Sequence, residues 1–243
     1  MGLIESLAKR VSQQAVIVQK QQVAAHTYRI TLELPEHAKP LNYTPGEFLR
    51  VLVGLNKPVK VSEMVRTYSV WSYDQAKRMI DIAVCTFSSG SGAAWAKQAK
   101  AGDTVHFTGP KGKFTVDDSG EQYILIGDIS SLAHLYELNR HLSARKKKVH
   151  GIVYAQQEGD FFPDLNGETP LSFHILPEHP VQPLIERLEP IVQSAAGGKG
   201  IVYIGGDGRV CAELNAYFRT ARHGGSWQVK SKPFWYPGKT GLE

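Results

Sequence analysis

Cysteine is scarce: the 243-residue chain holds two, Cys85 and Cys211. Two thiols so far apart give neither a disulfide framework nor a zinc site of the usual spacing, and both read as small apolar residues packed inside. No run of about 18 apolar residues occurs, so no membrane-spanning helix is expected. An excess of one charge is also lacking. The 28 basic and 23 acidic side chains leave +5, too little to argue nucleic-acid binding, though it favours anionic ligands wherever the cations cluster. The nine histidines include no pair at metal-ligand spacing on one helix face, so His134, His141 and His174 read as lone surface or packed imidazoles and no metal site is expected. "GSG" at 90–92 lacks the strained G-x-S-x-G turn of a nucleophile elbow, which removes a hydrolase of that kind. The stretch "MGLIESLAKRVSQQ" has an acid at Glu5 and no apolar core or cleavage site, so it is not read as a secretory leader and a cytoplasmic protein is expected. Gly2 and Ser6 fit the loose myristoylation pattern, but the stretch reads equally as a short amphipathic helix.

What is present suits two domains. A hydrophobic content of 42% with 21% charged residues describes an ordinary globular chain, long enough for two cores. Residues 1–118 read as short strands broken by turns at Pro45-Gly46, Gly102-Asp103 and Gly109-Pro110, the rhythm of an antiparallel Greek-key β-barrel. One interruption, "GSGAAWAKQAKAG" at 90–102, favours a single short helix ended by Gly102. Over 119–243 the rhythm becomes strand, helix, strand, with buried strands expected at "QYILIGD", "KVHGIVYA", "LSFHIL" and "IVYIGG". That alternation implies an open parallel sheet flanked by helices. Such sheets bind ligands beyond the carboxyl ends of their strands, here Gly127-Asp128 and Gly205-Gly206-Asp207.

Within the barrel, "RTYSVWSY" (66–73) is an odd strand because it sets Arg66 and Tyr68 on one face beside an apolar core. A cation and a ring there grip a planar, phosphate-bearing ligand, or form a surface arginine lying along a half-buried tyrosine. The helix near 91–101 favours the first, since its leading amides at Gly92, Ala93 and Ala94 lack intrahelical partners and small side chains let a diphosphate approach.

In that order, the barrel, "RTYS", the glycine-led helix and the parallel domain resemble the ferredoxin reductase superfamily. Within it the chain resembles the siderophore-interacting proteins, which are FAD-dependent ferric siderophore reductases, and the resemblance covers nearly the whole chain. "GSGAAWA" and "KAGDTVHFTGP" are similar to the family's G-P-A-S-R-W-A and P-G-D-x-V-x-x-x-G-P runs. "GDISSLAHL" resembles its G-D-E-T-A-L-P-A-I, "YIGGD" its A-G-E, and "FWYPGK" its G-Y-W-R-x-G. The resemblance implies an FAD site in which Arg66 meets the diphosphate, Tyr68 packs on the isoalloxazine and Ser69 reaches the ring near N5. Tyr68 and Ser69 are thus the catalytic pair, with Thr67, Val84, Thr86, Gly92, Ala93, Ala94 and Trp95 completing the cofactor contacts. "FLRV" resembles a family strand that supplies a substrate cation and places Arg50 there, with Lys232 and Lys239 as the other candidates for an anionic ferric siderophore.

The departures fall at defined positions. Thr86 stands where the family has a histidine, Ala93 where it has a serine, Ile129 where it has an acid, and Tyr236 where it has an arginine. The glycine-rich nucleotide loop is absent from 125–135, so NAD(P)H and ferredoxin both stand as donors. The resemblance implies release of iron by reduction. A general flavin electron-transfer reductase and a non-catalytic chelate- or flavin-binding protein are the alternatives. A monomer is expected, without nucleic-acid or membrane partners.

Overall fold

The structure is a computed structural model that describes residues 12–53, 64–194, 198–220 and 227–239. The expected amphipathic stretch at the amino terminus lies mostly outside those residues. The chain divides between Lys113 and Phe114 into two compact units.

In the first unit, six antiparallel strands close a barrel in the order β1-β2-β5-β4-β3-β6. They are β1 (Gln13–Ala24), β2 (Thr27–Glu33), β3 (Phe48–Leu52), β4 (Val65–Asp74), β5 (Met79–Cys85) and β6 (Thr104–Lys111). Alternation sets the faces: Ile30 and Leu32, Leu49 and Val51, Ile80, Ile82 and Val84, and Phe107 all turn into one core. The outward side of β5 carries Asp81, which accepts from Arg29 Nε at 2.8 Å, Thr31 Oγ1 at 2.6 Å and Ser72 Oγ at 3.2 Å. A buried carboxylate with that many donors ties three strands together where an unpaired one would push them apart.

Helix α1 (Ser91–Gln98) is shorter than the sequence suggested. Ala99 turns extended, with φ −56° and ψ 142°, and is buried in the barrel core beside Ala96. The Lys20 ammonium takes the carbonyls of Lys97 and Ala99 at 2.8 and 2.9 Å. A cation on the exposed carbonyls of a helix end is favourable there, so burial of one alanine stops the helix before Gly102 does. Gly102 instead holds a positive φ of 91° in the turn into β6.

The second unit is a five-stranded parallel sheet in the order β11-β10-β7-β8-β9. Its elements are β7 (Gln122–Asp128), α2 (Leu132–Ala144), β8 (Lys148–Ala155), β9 (Ser172–Ile175), α3 (Val181–Gln193), β10 (Gly200–Asp207), α4 (Gly208–Arg219) and β11 (Trp227–Trp235). The order reverses between β7 and β10, which makes the carboxyl ends of those two strands the switch point of the sheet. Every residue of β10 is buried, as its continuous apolar run implies for a central parallel strand.

Two details differ from the sequence reading. β9 is not a buried strand: it forms one edge, and Ile175 is 61% exposed. β11 is not among the strands expected from the sequence. Its "WQVKSKPFW" mixes lysines and Pro233 into the alternation, a pattern that an edge strand tolerates and a central one does not. No helix among the described residues is long and apolar enough to cross a membrane.

Candidate functional site

The register of β3 and β4 decides where the odd strand points. Tyr68 pairs with Leu49 and Arg66 with Val51, so both take the face that Leu49 and Val51 turn into the core, while Thr67 pairs with Arg50 and Ser69 with Phe48 on the other face. Neither Arg66 nor Tyr68 is exposed at large. Both lie under the first turn of α1, where a Cβ added to Gly92 would stand 2.4 Å from the Tyr68 hydroxyl and 3.1 Å from Arg66 Cγ. Trp95, one turn on, stacks on Tyr68 with ring centroids 5.9 Å apart and planes at 24°. Burial pushes the Tyr68 phenol above its ordinary range, and the Arg66 charge pulls it partly back. The phenol therefore stays protonated and able to donate.

Gly90, the residue before α1, is extended and places no side-chain cap on the helix. The leading amides of a helix carry partial positive charge, so an arginine, a phenol and an open helix start converge on one spot suited to a diphosphate. Ala93 is buried and offers a ligand only backbone, while the half-buried Ala94, expected to present a free amide, already donates its N–H to the Gly90 carbonyl at 3.0 Å as the first bond of the helix. Thr86 is buried, and both its N–H (2.7 Å) and its hydroxyl (3.1 Å) donate to the His26 carbonyl. Its role is to pin the turn before α1. The Val84 side chain is wholly inside the core, so this residue too offers only backbone. Phe87, absent from the sequence reading, is 53% exposed and packs on His26 with centroids 4.7 Å apart. An apolar residue four positions before the start of α1 was the signal for it.

In the second unit the switch point is crowded. Asp128 ends β7, is buried, and accepts from the N–H of Ser130 (2.8 Å), the Ser130 hydroxyl, the N–H of Asp207 (2.8 Å) and the Trp235 indole (2.8 Å). Burial drives its carboxyl above the ordinary range, and these donors oppose that by favouring the ionised form. Asp207 ends β10, accepts from the N–H of Arg209 at 2.9 Å and pairs with its guanidinium at 2.6 Å. The Tyr236 ring lies over Gly208, where a Cβ would be 2.1 Å from Tyr236 Cζ.

Residues 14–116 match the family described as oxidoreductase FAD-binding domain. The first unit is an FAD-binding domain. No curated protein matches the chain. Among solved structures it is similar in fold to the siderophore-interacting protein SipS from Aeromonas hydrophila, with a TM-score of 0.72 and 19% identity over 94% of this chain and 93% of that one. A siderophore utilization protein from T. fusca gives 0.71 and 18% over 96% and 95%. The chain spans 29% of full-length CYP116B46 from Tepidiphilus thermophilus, at 0.74 and 15% over 94% of this chain. It spans 68% of phthalate dioxygenase reductase, at 0.72 and 16% over 91% of this chain. The fold class is the ferredoxin reductase-like one expected from the sequence.

The FAD-binding domain brings Arg66, Tyr68, Gly92 and Trp95 together and turns Thr67 and Ser69 to the opposite face of β4. The cradle fits the group: small residues where a backbone must approach, a guanidinium beside them and an aromatic pair behind. The proposed substrate cations fall in different units. Arg50 is half-buried on β3 of the FAD-binding domain, between Thr67 and Thr108. In the second unit Lys232 lies 5.8 Å over the Phe234 ring and Lys239 5.0 Å over the Tyr236 ring.

Proposed function

We propose that this chain is an FAD-dependent reductase that passes electrons to ferric siderophores in the cytoplasm, so that iron leaves as the ferrous ion. The observation that carries the flavin part is the convergence of Arg66, Tyr68 and Gly92 at the start of α1. The siderophore part is supported by fold likeness that extends over 93% and 95% of two proteins named for siderophore interaction and utilization. The carrier chemistry belongs to the flavin, which supplies electron transfer when bound. Reduction converts a hard ferric ion into a softer ferrous one and weakens its hold on catecholate or hydroxamate oxygens, so no acid, base or nucleophile is required of the protein.

The residues then divide the work. Arg66 and the leading amides of α1 hold the diphosphate and Tyr68 with Trp95 behind it offers an aromatic surface, whereas Ser69, expected to reach the ring, lies on the opposite face of β4 and takes no part in that cradle. Arg50, Lys232 and Lys239 supply positive charge for an anionic chelate. A second reading, a general electron-transfer reductase, draws on the likeness to phthalate dioxygenase reductase, whose structure is described as modular for electron transfer from pyridine nucleotides to [2Fe-2S].

The test is anaerobic. The flavin is photoreduced and mixed with graded ferric catecholate, and return of the oxidised absorption band is followed beside free reduced flavin. Saturating reoxidation faster than the control is expected, and Arg50→Ala is expected to raise the half-saturating concentration about tenfold by removing a charge-assisted contact. Reoxidation that is indifferent to the chelate would leave the general reductase ahead, and a chain that binds chelate without reoxidation would be a binding protein.

A further inference from the structure

A doubly wound sheet takes its pyridine dinucleotide at the switch point, with the diphosphate on the amides that open the first helix. In this chain the N–H groups that lead into that helix, and the first of the helix itself, are already used. The N–H of Ser130 donates to Asp128 Oδ1 at 2.8 Å, that of Ser131 to the Asp128 carbonyl at 3.0 Å, and that of Leu132 to the Ile129 carbonyl at 3.3 Å. Across the crevice, the Asp207 N–H is held by Asp128 Oδ2 and the Arg209 N–H by Asp207. Five N–H groups around the switch point are spent on the chain's own oxygens.

Space is spent as well. Gly206 has a φ of 114° and its Cα faces the Asp128 carboxyl, so that a Cβ there would fall 2.4 Å from Oδ2. The start of α4 is roofed by the Tyr236 ring over Gly208. Trp235 closes the same end from β11 through its indole bond to Asp128. A dinucleotide entering here would have to displace a buried carboxyl, break its four accepted hydrogen bonds and lift an aromatic ring. The residues present do not fit the group.

We infer that Asp128, Asp207 and Tyr236 close the switch point to NAD(P)H, so that reduction of this flavoprotein does not pass through a dinucleotide held in the second unit. Tyr236 is the specificity-determining part: it occupies the helix start that would otherwise face a phosphate. Electrons then come from a reductant that needs no site in this sheet, of which a reduced iron–sulfur carrier protein is the class the chain's positive charge suits. The inference rests on the reading of the first unit as the flavin carrier for its consequence, but the closure itself is a property of the second unit.

The experiment separates the two. Calorimetric titration of the full chain with NADPH and NADH, with and without FAD, reads nucleotide binding independently of the flavin. No saturable heat is expected up to about 1 mM, the upper end of ordinary substrate affinities. Anaerobic mixing with the same nucleotides is expected to bleach the flavin without saturation, whereas reduced plant-type ferredoxin bleaches it completely. Tyr236→Ala and the double variant Asp128→Asn/Tyr236→Ala, checked by circular dichroism for retained fold, are expected to gain saturable nucleotide binding. Saturable micromolar binding to the unaltered chain would overturn the closure. Folded variants that gain no binding would overturn the assignment to these residues, and a chain that takes up no flavin would overturn the functional reading while leaving the titration interpretable.

Discussion

Arg66→Ala is expected to raise the FAD dissociation constant by about 10- to 100-fold, read from quenching of flavin fluorescence on titration. A hydrogen bond between charged partners contributes about 1.5–3 kcal/mol, and each 1.4 kcal/mol is a factor of ten. The Arg66 Nη1 donates to the Val65 carbonyl at 2.6 Å, which holds the side chain beside α1. A lysine at this place keeps the charge but loses the planar fork, so Arg66→Lys is expected to recover only part of the affinity. Gly92→Val separates charge from access. It keeps the Arg66 charge but drives a branched side chain into the Tyr68 hydroxyl and against the Arg66 stem, so it is expected to weaken FAD binding comparably while displacing Trp95, seen as a shift in tryptophan emission. Equal FAD affinity in wild type and Arg66→Ala would remove Arg66 from the diphosphate site.

The barrel was legible because its determinants are local. Apolar alternation in "MIDIAVC" and turn pairs such as Gly102-Asp103 act within a few residues, and burial of Ile80, Ile82 and Val84 follows from period two alone. The same holds for α1, whose small residues mark a helix start, and for the pairing of Arg66 with Tyr68 on one face. Whether that face points inward or outward is not local. It depends on β4 lying beside β3 with Tyr68 opposite Leu49, a pairing made across about 20 residues of chain. The rank of β9 in its sheet is likewise set by where the chain crosses over, so "LSFHIL" reads as a core strand although it lies at an edge. β11 was hidden for the opposite reason: lysines and Pro233 mask a strand whose pairing with the wholly buried β10 supplies its stability. The Asp128 cluster joins residues from the ends of β7, β10 and β11, and only the finished sheet brings them together.

His134 carries the largest expected pH effect. It lies in the first turn of α2, 98% buried by its 2% exposure, stacked on Phe114 at 4.8 Å and met edge-on by Phe234 at 5.7 Å. Neither ring nitrogen has a hydrogen bond of normal geometry. Burial first and the Lys232 charge second hold the imidazole down to about 3, the Phe114 backbone acting least and in the other direction. The folded value therefore lies below the ordinary 6.5, and the unfolded chain binds a proton that the folded chain refuses. The contribution is fully present above pH 6.5 and is lost as the pH falls toward 3. Between neutrality and about pH 5 the loss amounts to about 2 kcal/mol, at 1.36 kcal/mol for each unit below the unfolded value. Asp128 acts in the opposite sense, because burial raises its carboxyl and costs stability as the pH rises past the carboxylate range. Asp117, held down to about 2 first by the Ser119 hydroxyl, acts only at lower pH. The difference between wild type and His134→Phe isolates the imidazole, since a phenyl ring fills the same aromatic box without titrating. In urea unfolding at a series of pH values, the His134→Phe curve is expected to gain about 2 kcal/mol on wild type between neutrality and about pH 5. Two curves that run parallel through that range would mean that the folded chain admits the proton and that the box of Phe114, Phe234 and Tyr203 opens to take it.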